Sequence, residues 1–299
     1  MTKIQFEVLR MFYENNIADI EMCARLLYKP EETIGEAVNI LTEEGYLDAG
    51  AVTEKGRKLL DSHKINNAVI LAAGMSSRFV PLNFEIPKGL LQVKGERLIE
   101  RQIEQLREKG IEEIIIVVGY MKEAFEYLTE KYGVILVETD EYEIKNNHSS
   151  VYAAKKYLKN TIITSSDLYF SENIFQTYAF DSYYCTLYMS GKTAERGVET
   201  DEDDRILKTF YGDKCYDVWV TLGYAFFSEK FSKKMLEILD EEYHLPQTAN
   251  KFWADIQDEH LSELYMYAKR VDEGIIHEFD SLEELREFDS KYVNDSGSG

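Results

Sequence analysis

Four short runs rich in Ile and Val, NNAVILAAG, EEIIIVVGY, GVILVET and NTIITSSD, follow one another between residues 66 and 167. Each is apolar at nearly every position rather than at every second one, which predicts strands buried on both faces. Between them lie RLIERQIEQLREKG, KEAFEYLTEKYG and SSVYAAKKYLK, whose apolar residues recur at helical spacing. Such alternation predicts an α/β domain: a mostly parallel sheet, helices on both faces, right-handed crossovers, and ligands beyond the strands' carboxyl ends. YYCTLYMS and DVWVTLGYAFFS add strands, and Ser281 and Glu284 are spaced as a capping box at the head of a last helix.

The first 64 residues read differently. IQFEVLRMFYEN, IADIEMCARLLY and EETIGEAVNILTEEG predict three helices, the third opened by Pro30, and YLDAGAVTEKGRKLL predicts a short hairpin and a closing helix. That order resembles a winged helix-turn-helix, so the chain divides into a small domain over 1–64 and a large one over 65–295. A DNA-reading role is opposed by charge. Glu31, Glu32, Glu36, Glu43 and Glu44 lie on or beside the third helix, with no Lys or Arg between residues 30 and 47, and the whole chain carries a net charge of −21. No DNA binding is expected. No apolar run approaches the ~20 residues that cross a bilayer, and no signal peptide opens the sequence, so a cytoplasmic protein without a membrane partner is expected. Cys23, Cys185 and Cys215 are isolated and form no zinc motif.

The segment carrying chemistry is ILAAGMSSRFVPLNFEIPKGLL, residues 70–91. It starts where the first parallel strand ends. Ala72, Ala73 and Gly74 are small enough for a base or a phosphate chain to approach the backbone amides. Arg78 and Lys88 supply two cations in a Pro-containing loop, suited to a triphosphate whose charge shifts onto a leaving group. The dinucleotide GxGxxG and the Walker loop are absent.

LAAGMSSRFVPL and PKGLLQV together resemble the signature of nucleotidyltransferases that activate phosphorylated metabolites. VILVETDEYEIKNNHSSVY, TSSDLYF, KFWADIQDEHLSELYMY and IIHEFDSLEELREF are similar, in order and spacing, to bacterial choline-phosphate cytidylyltransferases. The resemblance covers about residues 66–293. It implies a Rossmann-like nucleotidyltransferase domain that moves CMP from CTP to phosphocholine or a similar amino-alcohol phosphate, giving a CDP-alcohol and pyrophosphate. On this resemblance Leu71, Ala72, Ala73 and Gly74 line base and ribose, Arg78 and Lys88 hold the triphosphate, and Asn147 and Ser150 lie near the cytosine. Asp167 and Asp255 are the implied Mg²⁺ ligands and, with Arg78 and Lys88, the catalytic set. The acceptor residues are Trp253, Trp219, Glu278 and Arg196.

The sequence also departs from that pattern. Ser165 stands where many relatives have a second acid two residues before the strand-end Asp, and Ala254 precedes Asp255 where an acid is common. Arg196 follows Glu195 where the choline enzymes carry an aromatic, and a guanidinium cannot wall a cation cage in the same way. Either Trp219 substitutes, or the acceptor is another amino-alcohol phosphate or a phosphonate such as 2-aminoethylphosphonate. A sugar-phosphate transferase and a nucleotide-sensing regulator are the remaining alternatives. A homodimer is compatible with the sequence.

Overall fold

The computed structural model describes residues 1–75, 85–279 and 281–292, and the chain divides into two units. The first comprises Met1–Ile65 together with Gln176–Asp181. Helix α1 (Lys3–Glu14) opens on Thr2, whose hydroxyl accepts from the Gln5 N–H while the Gln5 side chain returns to the Thr2 N–H. Helix α2 (Ile20–Leu27) is capped by Asp19 and stops at Tyr28, which is left-handed at φ 52°. Helix α3 (Glu31–Glu43) follows Pro30. The hairpin of β1 (Leu47–Asp48) and β2 (Ala51–Val52) comes next, and then α4 (Glu54–Asp61), capped by Thr53. Phe6, Leu9, Ile34, Leu41 and Leu60 form its core.

Residues 176–181 return from far along the chain to complete this core. Tyr178 is buried in it and Phe180 packs against it. The Thr177 N–H donates to Glu14 Oε1 at 2.6 Å, and the Tyr178 hydroxyl donates to Asp61 Oδ1 at 3.1 Å. Local periodicity carries no trace of a partner more than a hundred residues away, so a boundary drawn at residue 64 omits this segment.

The second unit holds Asn66–Phe175 and Ser182–Gly299. Its elements are β3 (Asn67–Ala72), the hairpin β4 (Gln92–Val93) and β5 (Glu96–Arg97), α5 (Leu98–Glu108), β6 (Glu113–Val118) and α6 (Tyr127–Tyr132). Then come β7 (Ile135–Glu138), α7 (His148–Ala153), β8 (Thr161–Ser165) and β9 (Leu168–Phe170). The later part adds β10 (Tyr183–Lys192), β11 (Gly197–Thr200), β12 (Ile206–Phe210), β13 (Tyr216–Phe227) and α8 (Glu229–Glu242). It ends in α9 (Trp253–Glu259), β14 (Tyr267–Val271), β15 (Ile276–Glu278) and α10 (Leu282–Phe288), which Ser281 caps.

The main sheet runs β12-β11-β13-β8-β3-β6-β7, with β10 joined to β13 and β14 joined to β10. Strands β8, β3, β6 and β7 are parallel, as their continuous apolar runs predict. Strand β13 is antiparallel to β8, and β10 and β11 are antiparallel to β13, so the later strands extend the parallel core with antiparallel pairs. Val69, Leu71, Ile115 and Ile163 meet α7, α8 and α9 on one face. On the other, Thr164 donates its hydroxyl to Gln102 of α5 at 3.2 Å. Both faces are therefore covered, and only the carboxyl edge is left for a ligand. Among the described residues no helix is long and apolar enough to cross a membrane.

Candidate active site

Strands β3, β6 and β8 end at one edge, where Ala72 faces Val118 and Leu71 faces Ser165. The turns beyond them are pressed together. A Cβ on Gly119 would lie 2.5 Å from the Tyr142 ring and 3.0 Å from the Ala73 carbonyl oxygen, which accepts from the Tyr120 N–H at 3.1 Å. A Cβ on Gly89 would lie 2.8 Å from Ser166 Cβ, so glycine there lets the Pro87–Leu90 turn seat against the β8–β9 turn. Ala72 and Ala73 are buried and Gly74 is exposed, giving the small-residue step that the sequence predicts at the end of β3.

That seating brings together Lys88 and Asp167, 79 positions apart. Lys88, only 9% exposed, donates Nζ to Asp167 Oδ2 at 2.7 Å. The other carboxylate oxygen, Oδ1, is buried with no hydrogen-bond partner among the described residues. An orphaned carboxylate oxygen near the small residues that end β3 fits what a hard divalent cation shared with phosphate oxygens requires of a ligand. Arg78 lies outside the described residues.

Asp255 is placed differently. It sits in the first turn of α9, where Oδ2 accepts from the Phe252 N–H at 2.6 Å and Oδ1 accepts from Arg196 Nη2. Arg196, 5% exposed, also donates Nε to the Tyr211 hydroxyl at 2.7 Å and holds Nη1 3.2 Å from Asp258 Oδ2. Burial pushes the Asp258 carboxyl above its ordinary range. Arg196, expected at the acceptor, is thus engaged by Asp255 and Asp258 of α9, and each Asp255 oxygen already accepts one hydrogen bond, which Asp167 Oδ1 does not.

Asn147 takes the position before α7, and its Oδ1 accepts from the Trp253 N–H at 2.9 Å. An amide expected to offer both donor and acceptor to a base has one acceptor lone pair engaged, leaving Nδ2 as its donor. Ser150 is buried one turn inside α7 rather than capping it.

The two tryptophans do not form a cage. Trp253 is 3% exposed and packs between Tyr184 and Phe227, with ring centroids at 4.9 and 5.0 Å. Trp219 meets Tyr188 edge-on at 5.6 Å and lies under the Arg270 guanidinium at 5.1 Å. Glu278 is better placed, because it lies opposite Leu168, the residue after Asp167. It lines a cavity of about 480 Å³ with Glu195, Glu284, Glu287, Leu222 and Phe279, and neither tryptophan is in its wall. The sequence offered one signal for Glu284 and Glu287: a three-residue spacing on one helix face, which an ordinary solvated helix also shows.

An edge made of backbone and small residues, with buried Lys88 paired to Asp167 and the three cysteines buried, fits a nucleotidyltransferase. The MobA-like NTP transferase domain matches residues 68–181. The choline-phosphate cytidylyltransferase of Streptococcus pneumoniae is 34% identical over 77% of this chain and 99% of its own. The 2-aminoethylphosphonate cytidylyltransferase of Lancefieldella rimae is 38% identical over 76% of this chain and 93% of its own. The solved structure of a CTP:phosphocholine cytidylyltransferase from Streptococcus pneumoniae superposes with a TM-score of 0.72 at 34% identity, covering 75% of this chain and 98% of that one. The chain belongs to this bacterial family of choline-phosphate cytidylyltransferase-like enzymes. The inositol-1-phosphate CTP transferase of T. maritima, at 19% identity and TM-score 0.60, shares the fold.

Proposed function

We propose that the protein is a Mg²⁺-dependent cytidylyltransferase transferring CMP from CTP to a small phosphate or phosphonate that carries an ammonium group. The observation that carries this reading is the Lys88–Asp167 pair, with its orphaned Asp167 oxygen, at the edge of β3. The small residues Leu71–Gly74 admit the nucleotide, Nδ2 of Asn147 donates to the base, and Ser150 lies one turn further on. Lys88, with Arg78, neutralises the charge that moves onto pyrophosphate. Mg²⁺, held by Asp167 and with Asp255 as the second carboxylate, would polarise the phosphates. An oxygen of the acceptor's phosphate or phosphonate attacks the α-phosphorus. The bond to the bridging oxygen of the β-phosphate breaks, and the configuration at phosphorus inverts.

The first reading for the acceptor is a primary ammonium. Four carboxylates, Glu195, Glu278, Glu284 and Glu287, line the cavity and can accept from its three N–H bonds, while Phe279, Phe288 and His277 in the same wall offer ring faces that keep a trimethylammonium as the second reading. The 2-aminoethylphosphonate relative supports this choice, and the choline-phosphate relative supports phosphocholine as the second reading. The test is pyrophosphate release from four NTPs crossed with 2-aminoethylphosphonate, phosphoethanolamine, phosphocholine and glucose 1-phosphate. CTP with a primary-ammonium acceptor should give the highest kcat/KM. Preference for phosphocholine would select the second reading, and turnover with glucose 1-phosphate alone would overturn both.

A further inference from the structure

The turn before α7 and the segment leading into α9 are fastened together by four hydrogen bonds. The Asn146 N–H donates to the Ala249 carbonyl at 2.9 Å, and Asn146 Nδ2 donates to the Asn250 carbonyl at 3.3 Å. His148 Nδ1 lies 2.7 Å from the Lys251 carbonyl oxygen, and the Trp253 N–H donates to Asn147 Oδ1 at 2.9 Å. A carbonyl only accepts, so Nδ1 of His148 carries the proton and the tautomer is fixed. The ring is fully buried, edge-on to Tyr243 at 5.6 Å, and Nε2 has no hydrogen-bond partner among the described residues. Leaving a buried acceptor unpaired is costly, so what this imidazole supplies is its Nδ1 donor. The carbonyl it holds belongs to the residue before Phe252, whose N–H in turn fixes Asp255 Oδ2 at 2.6 Å.

We propose that His148 is a positioning residue for Asp255, aiming the α9 carboxylate by clamping the Lys251 carbonyl. The proposal rests on the cytidylyltransferase reading for what Asp255 does, but not for the clamp itself. Because Asn147 belongs to the same turn, the groups that meet the base and the carboxylate of α9 are set by one hydrogen-bonded unit. A displacement of about 1 Å at such a group can cost on the order of a hundredfold in rate.

Two substitutions separate the donor's position from mere occupancy. Asn places its Nδ2 where His Nδ1 stood, whereas Gln places its donor further out, near Nε2. We expect His148→Asn to keep kcat within about threefold, and His148→Gln to lose roughly ten- to a hundredfold in kcat with the CTP KM little changed. A second readout is independent of turnover. In a Trp219→Phe background, Trp253 is the remaining tryptophan, and its fluorescence should be shielded from acrylamide in wild type and His148→Asn but quenched in His148→Gln. Should His148→Gln fail to fold, Asn146→Asp removes the donor to the Asn250 carbonyl and should raise quenching in the same direction. Equal behaviour of the Asn and Gln variants would overturn the proposal, as would lost turnover with Trp253 still shielded. If Asp255→Ala keeps full activity while the quenching pattern holds, the role given to Asp255 fails and the clamp stands.

Discussion

A lysine ammonium 2.7 Å from a carboxylate, both largely out of water, is rarely worth its desolvation as a stabilising contact alone. At Lys88 the arrangement makes sense as pre-placed charge. Lys88→Ala should lower turnover by about 10²–10³-fold, the usual loss for one donor to developing charge, and pyrophosphate release within a few-fold of wild type would exclude that role. Asp167→Ala should abolish Mg²⁺-dependent turnover, while an EDTA-treated enzyme that stays active would exclude the metal. His148 gives a pH prediction. Burial holds its imidazole below the ordinary value of 6.5, so the folded state takes up its proton less readily than the unfolded chain does. That stabilisation is complete above pH ~6.5 and is lost as the pH falls toward the depressed folded value. Thermal melts between pH 7.5 and about 5 should therefore fall less steeply in His148→Asn than in wild type; parallel curves would remove His148 from the balance.

At the scale of elements, close approach between turns decides whether the site forms. Gly119→Ala should cost about 1–3 kcal/mol and weaken CTP binding, because the new methyl meets the Tyr142 ring and the Ala73 carbonyl. Thermal denaturation and the CTP KM check this, and an unchanged KM would show the β3 turn to be slack. Which elements could be read from the sequence follows the same physics. Strands β3, β6 and β8 are legible because burial on both faces keeps their runs mostly apolar. Strands β11, β12, β14 and β15 are short and part-exposed, and the single stretch between β13 and α9 hides α8, so the antiparallel extension was legible only at β10 and β13. Lys88 and Asp167 could be found because motif and strand end coincide. The tryptophans could not, since an aromatic reads alike whether it fills a core or walls a pocket. Arg196 and Asn147 were visible as residues but not in their partners, which come from Tyr211 just after β12 and from α9.

For the whole molecule, the first unit carries the open question. Helix α3 puts Glu31 and Glu32 in its first turn and has no cation, so we expect no sub-micromolar, salt-sensitive DNA binding in a mobility shift at ~50 mM salt. Removal of residues 1–64 should leave transferase chemistry but strip the cover from Tyr178 and Phe180. The truncated protein should aggregate more readily, and Tyr178→Ser with Phe180→Ser should restore solubility; a truncated protein as soluble as the full chain would show that those rings need no cover. The return of Gln176–Asp181 also sets an order of events during synthesis. When the ribosome has released Ile65, the rings that finish this small core are still more than a hundred residues from being made. Residues 1–65 must wait, with an incomplete apolar face, until strands β3 to β9 have emerged. This segment is made before the sheet and matures after much of that sheet has been made, a reversal of the usual vectorial order.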